Sequence, residues 1–150
     1  LFRRRDESEP MNTVTLSRSI DGSADAVRDA VGDLQAFTEA AGFDGVTVEE
    51  DVVTITNHVG LLEIQLDLVV TRDDPETLVL EQRDGIFESM TTWYTVTGDT
   101  ESCEVTAETE FALDVAIVGQ VLDATVIERQ RSTELTRQLD WLQERFGGGA

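Results

Sequence analysis

Lysine is absent from this chain: its 11 basic residues are all arginine, set against 31 acidic ones, for a formal net charge of −20. A field this negative repels the phosphates of DNA and RNA and the surface of anionic membranes, so a nucleic-acid partner is not expected. Cysteine is nearly absent too. The one thiol, Cys103, excludes an internal disulfide and any cysteine-based zinc site, and a reducing, cytoplasmic interior is the natural compartment. There is a single histidine, His58, and no glycine-rich phosphate loop or metal-ligand spacing. Neither a cofactor nor a metal is therefore expected. No apolar run approaches the roughly 18 residues needed to enter and cross a bilayer, so membrane insertion is not expected. No apolar segment follows Arg3, Arg4 and Arg5, so no secretory leader is expected.

What is present fits one domain. At 150 residues and 40% apolar content the chain can bury a real core. Its charge would strain a compact fold through self-repulsion at low salt. Near-molar salt shortens the Debye length to ~3 Å and removes most of that strain. The composition resembles that of a halophilic protein from a salt-accumulating cytoplasm, with an acidic mesophilic protein as the alternative. The acidic runs then speak of solvent, and they are discounted as catalytic evidence.

Residues 1–11 read as a disordered tail, with Met11 a candidate native start. The arginines at 3–5 are largely cancelled by Asp6, Glu7 and Glu9. Residues 12–146 form the folded domain, and the glycine-rich end, 147–150, is a flexible tail past a helix stop. NTVTLSRSI alternates as a strand. Ser23 is a good helix N-cap, and the helical spacing of Val27, Val31, Leu34 and Phe37 is broken by Gly32 into two short helices. Strands then recur at short intervals, with a tight hairpin at Asp51 and turn signals at 73–75, 84–85 and 98–101. Leu62, Ile64, Leu66, Leu68 and Val70 share one face, as do Cys103, Val105, Ala107, Thr109, Phe111 and Leu113. One-sided alternation means a sheet with a single buried face, which only helices can cover. The fold class is α+β: a curved antiparallel sheet of six to seven strands, two short helices and a long C-terminal helix.

That order resembles the START-like superfamily, also called SRPBCC, and its helix-grip fold. The resemblance spans residues 12–146. It rests on the first strand leading into SADAVRDAVGDLQAF, on the hairpin series, and on VGQVLDATVIERQRSTELTRQLDWLQERF after the last strand. Within the superfamily the chain is most similar to small members described as polyketide cyclase/dehydrase-like or coenzyme-Q-binding-like, and it looks like a haloarchaeal-type member. The resemblance implies a cavity between the sheet and the long helix that holds a small hydrophobic or amphipathic ligand of lipid, quinone or aromatic polyketide type. It also implies a minority alternative, an aromatase/cyclase or dehydratase-type enzyme using the same cavity. A protein-partner regulatory module is the third reading, with a filled core, an exposed apolar patch and Trp93 outside. Fold alone does not choose among them.

No nucleophile–base arrangement is evident, because His58 sits at a strand end and Cys103 lies on a core stripe. Cavity-lining candidates are better motivated. Pairing Val96 with Cys103 and Tyr94 with Val105 turns Met90, Thr92 and Tyr94 inward, with Glu88 on the same face. A two-residue turn at Asp84 and Gly85 would instead pair Leu80 with Ser89 and turn Trp93 inward. The first register is preferred because the last strand alternates more cleanly, and it adds Thr109 and Phe111. On the long helix, Leu135, Leu139, Leu142 and Phe146 make a core face. Thr125, Arg129 and Thr133 are placed on the sheet side further up, where Arg129 either meets a ligand or Glu88 or snorkels to water. Glu128 and Arg131 are taken as solvated. The ligand's identity and the oligomeric state stay open at this level.

Overall fold

The computed structural model describes residues 11–59, 61–74, 76–114 and 123–146. The expected tails lie outside these residues, apart from Met11. Strand β1 (Asn12–Ile20) is followed by helices α1 (Ala24–Val31) and α2 (Leu34–Glu39). Strands β2 (Gly45–Glu49), β3 (Val52–Val59), β4 (Leu62–Asp74), β5 (Thr77–Asp84), β6 (Phe87–Gly98) and β7 (Cys103–Leu113) come next, and α3 (Ala124–Phe146) ends the fold. The seven strands form one antiparallel sheet in the order β1-β7-β6-β5-β4-β3-β2. This is the α+β helix-grip arrangement, with α3 along β1 and β7, α1 against β6 and β7, and α2 against β2.

Local chemistry sets the boundaries. Ser23 caps α1 by accepting from the Ala26 amide, and Asp33 caps α2 by accepting from the Ala36 amide. Gly32 therefore stands between two separately capped helices. Gly42 follows α2 at φ 91°, and the Arg137 guanidinium from α3 lies against it, so a Cβ there would collide. Between β2 and β3 the reversal falls on Glu50 and Asp51, with Glu50 in the left-handed region at φ 54°. In β4 and β7 the expected alternation holds. Ile64, Leu66, Leu68 and Val70 are buried on one strand, and Cys103, Val105, Ala107, Thr109 and Phe111 on the other.

Two register expectations need correction. Strand β6 pairs Tyr94 with Ala107 and Val96 with Val105 across a four-residue loop closed by Gly98 and Cys103. That shift of two residues from the expected pairing leaves the faces unchanged. On the other side Leu80 pairs with Thr92, not Ser89, so Trp93 faces away from the core. The conflict between the two registers is absorbed near the β5–β6 reversal. There the Gln82 side chain takes the place of ladder bonds, accepting from the Phe87 amide and donating to the Phe87 carbonyl. A bulge follows between Phe87, opposite Leu113, and Ser89, opposite Ala112. Glu88 is the extra residue of that bulge and is exposed, while Phe87 takes the inward place.

Candidate functional site

The inward stripe of α3 is Ile127, Arg131, Glu134, Leu135, Gln138, Leu139 and Leu142. Three of its seven members are polar. Arg131, Glu134 and Gln138 fall one helical turn apart, so they project together from the first two-thirds of the helix onto the sheet. Thr125, Arg129 and Thr133 lie on the opposite side and are exposed, contrary to expectation. Arg129 therefore cannot meet Glu88 beneath the helix, and Thr133 merely bonds back to the Arg129 carbonyl. Counting back from Leu142 and Leu139 in steps of three or four lands on Gln138, Leu135 and Arg131. Placing Arg129 on the sheet side and taking Arg131 as solvated put the helix face in the wrong phase.

Arg131 is 7% exposed, Glu134 5% and Gln138 2%. Such burial of charge requires partners, and the sheet supplies them. The Arg131 Nη1 donates to Glu134 Oε1 at 2.9 Å, and Nε donates to Thr109 Oγ1 at 2.9 Å. Its Nη2 donates to Thr92 Oγ1 and to the Tyr94 hydroxyl, each at 3.2 Å. Tyr94 in turn donates to Gln138 Oε1 at 2.8 Å, and Gln138 donates to the Phe37 carbonyl at 3.0 Å. The second oxygen of Glu134 accepts from Asn57 on β3 at 3.0 Å and from Gln130 at 3.1 Å. One network thus ties α3 to β3, β6, β7 and the α2 backbone. Burial works against the Arg131 charge, but the neighbouring Tyr94 and Glu134 outweigh it and hold the guanidinium above its ordinary range.

Beside this network lies a cavity between the concave face of the sheet and the first part of α3. Its walls are Thr38 and Phe43; Ile55 and Asn57 of β3; Ile64, Leu66 and Leu68 of β4; Leu80 of β5; Phe87, Met90, Thr92 and Tyr94 of β6; and Ile127, Gln130, Arg131, Glu134 and Gln138 of α3. The space open to the centre of a water-sized sphere is about 60 Å³. Of the residues expected there, Met90, Thr92 and Tyr94 line it. Thr109 and Phe111 are fully buried just behind the wall, Thr109 under Arg131 and Phe111 edge-on to Phe87 with ring centres 5.7 Å apart. Tyr94 is fixed by an edge contact from Phe37 at 4.9 Å.

Elsewhere, His58 is paired with Asp44 on the surface, away from the cavity, and the hydrogen bond its ring makes to the Asp44 carboxylate raises its pKa above 6.5. Cys103 is buried and its thiol is pushed upward by that burial. No group of three histidine, cysteine or carboxylate side chains among the described residues could hold a metal ion. No helix among them is long and apolar enough to cross a membrane.

The sequence matches no protein-family model and no curated protein. Solved structures are similar in fold. A START superfamily protein from Mycobacterium smegmatis superposes with a TM-score of 0.69 at 10% identity, over 92% of this chain and 99% of that one. The Zhui aromatase/cyclase from Streptomyces sp. R1128 gives 0.72 at 18% identity, over 90% and 95%. The di-domain aromatase/cyclase BexL of the BE-7585A biosynthetic pathway gives 0.70 at 17% identity, over 91% of this chain and 50% of BexL. At these identities the likeness establishes a START-like fold and leaves activity to the site itself.

Proposed function

We propose that this protein binds a small hydrophobic or amphipathic ligand, of lipid, quinone or aromatic polyketide type, in the cavity beneath α3. The observation that supports the reading most is the juxtaposition of an apolar wall, from Ile55 to Phe87, with a buried polar cluster centred on Arg131 and Tyr94. Apolar contact supplies affinity and the cluster supplies orientation, the usual division of labour in a ligand site. The acidic, lysine-free composition further supports a high-salt cytoplasm as the place of work. Native mass spectrometry of protein taken from its own host tests the binding reading. A retained organic molecule is expected, and excess of that molecule should raise the melting temperature by about 5–10 °C at a hundred times Kd. Protein that is repeatedly empty, with no thermal shift from lipids, quinones or aromatics, refutes it.

A second reading, catalysis of the aromatase/cyclase or dehydratase type, is favoured by one specific feature. The Tyr94 hydroxyl sits at the cavity between Arg131 and Gln138, where it could deliver a proton. Glu88 and Arg129 are exposed and take no part in such a step. Turnover lost in Tyr94→Phe while ligand binding persists would select this reading. The partner-module reading required a filled core and an apolar patch. Trp93 does face away from the core, as that reading expects, but the described residues line a cavity, and their exposed large apolar side chains, Met11, Leu61 and Val126, lie at the start of β1, at the β3–β4 reversal and on α3.

A further inference from the structure

We infer that the cavity selects a ligand whose buried end is an uncharged ring bearing a hydroxyl or carbonyl group over an anion of the same shape, an inference that rests on the binding reading above. Size comes first. The space open to the centre of a water-sized sphere, about 60 Å³, is smaller than the roughly 150 Å³ of a cavity that encloses benzene. One ring at most is therefore taken in, and the rest of a larger ligand stays outside.

Charge comes next. A buried arginine in a cavity would ordinarily suggest an anionic ligand, but here its charge is already answered. Glu134 lies 2.9 Å away, and both side chains are more than nine-tenths buried. An incoming carboxylate or phosphate would add a second negative charge beside Glu134, with only Arg131 to serve both. Desolvating it there is costly.

What the site leaves open is neutral hydrogen-bonding capacity. Arg131 uses four of its five N–H donors on Thr109, Glu134, Thr92 and Tyr94. Thr38 lines the cavity at 4% exposure, and its hydroxyl bonds to no other described residue. The amide oxygens of Asn57 and Gln130 likewise have no partner among the described residues, their amide nitrogens being spent on Glu134. Unused donors and acceptors around one small apolar space suit a hydroxyl, which can both accept and donate.

The test is calorimetric titration of the full chain with 2-naphthol and with 2-naphthoate near neutral pH. About 1 M KCl is needed, because a Debye length of ~3 Å removes repulsion from the acidic surface. Naphthol should bind at least about tenfold more tightly than naphthoate. In Glu134→Gln, which frees the Arg131 charge, the preference should reverse. Naphthoate binding as tightly as naphthol to the unaltered protein overturns the inference while leaving the binding reading intact. A naphthol preference that is unchanged in a folded Glu134→Gln overturns it as well. Binding of neither probe overturns the inference, and the native mass spectrometry above decides the binding reading. Should the variant not fold, the ratio in the unaltered protein decides alone.

Discussion

Replacing Arg131 with methionine should be among the most damaging single changes available to this fold. The substitution keeps much of the aliphatic bulk but removes four hydrogen bonds, to Thr92, Tyr94, Thr109 and Glu134. It also leaves the Glu134 carboxylate buried with only the Asn57 and Gln130 amides for company. Removing one partner of a buried pair costs about 3–5 kcal/mol. For a chain of this length that lowers the melting temperature by roughly 6–20 °C. Glu134→Gln should also destabilise, because it strands the Arg131 charge. The double variant Arg131→Met/Glu134→Gln strands neither, so its loss should fall short of the summed single losses by about 1–3 kcal/mol. Urea unfolding followed by the fluorescence of Trp93 and Trp141 measures all three. The cycle should be run at about 0.2 and 2 M KCl. Bulk salt reaches a pair with 8% and 7% side-chain exposure poorly, so the coupling should barely change. A coupling below about 0.5 kcal/mol, or one that disappears in high salt, would show that the pair is solvated and would refute this account of the site.

Arg129→Ala, two residues away on the exposed side of α3, should change stability by less than about 0.5 kcal/mol; a large loss would mean that the helix phase described above is wrong. His58, the single histidine, should titrate above 6.5 because of Asp44. Its folded pKa being raised, the stability it contributes is complete below the unfolded value of 6.5 and fades as pH rises through the folded one. Proton NMR of its ring should show this, and Asp44→Asn should return the midpoint toward 6.5. Cys103 should resist thiol reagents in the native protein and react on unfolding, since burial raises its pKa and hides the sulfur; fast native labelling would contradict its placement. Stability of the unaltered protein should rise steeply with KCl, given a net charge of −20, and a flat response would argue against the high-salt assignment.

Where the sequence was legible, the cause was one-sided alternation. The inward residues of β4 and β7 repeat every second position without interruption, so their faces could be read directly. The capping residues Ser23 and Asp33 explain why Gly32 divides two helices. The faces of β6 were recoverable, but the step at Glu88 was not, because a bulge depends on the neighbouring strands and on the Gln82 side chain. The site was misplaced on α3 for a different reason. Burial of Arg131 and Glu134 is tolerable only because each satisfies the other, a condition invisible to a residue-by-residue hydropathy count. The i, i+3 spacing of opposite charges on the continuation of the leucine stripe was the available signal.

The sheet order carries a consequence for how the chain comes together. Strands β2 to β7 are successive hairpins, whereas β1 pairs with β7 across the chain, as in Asn12 opposite Phe111. Closing a loop of that length is entropically dear, and it delays the pairing until late in folding. During synthesis at 5–20 residues per second, β1 would spend on the order of 5–20 s off the ribosome without its partner strand. Its alternate residues Thr13, Thr15, Ser17 and Ser19 are hydroxylated, which keeps one side of the waiting strand compatible with water.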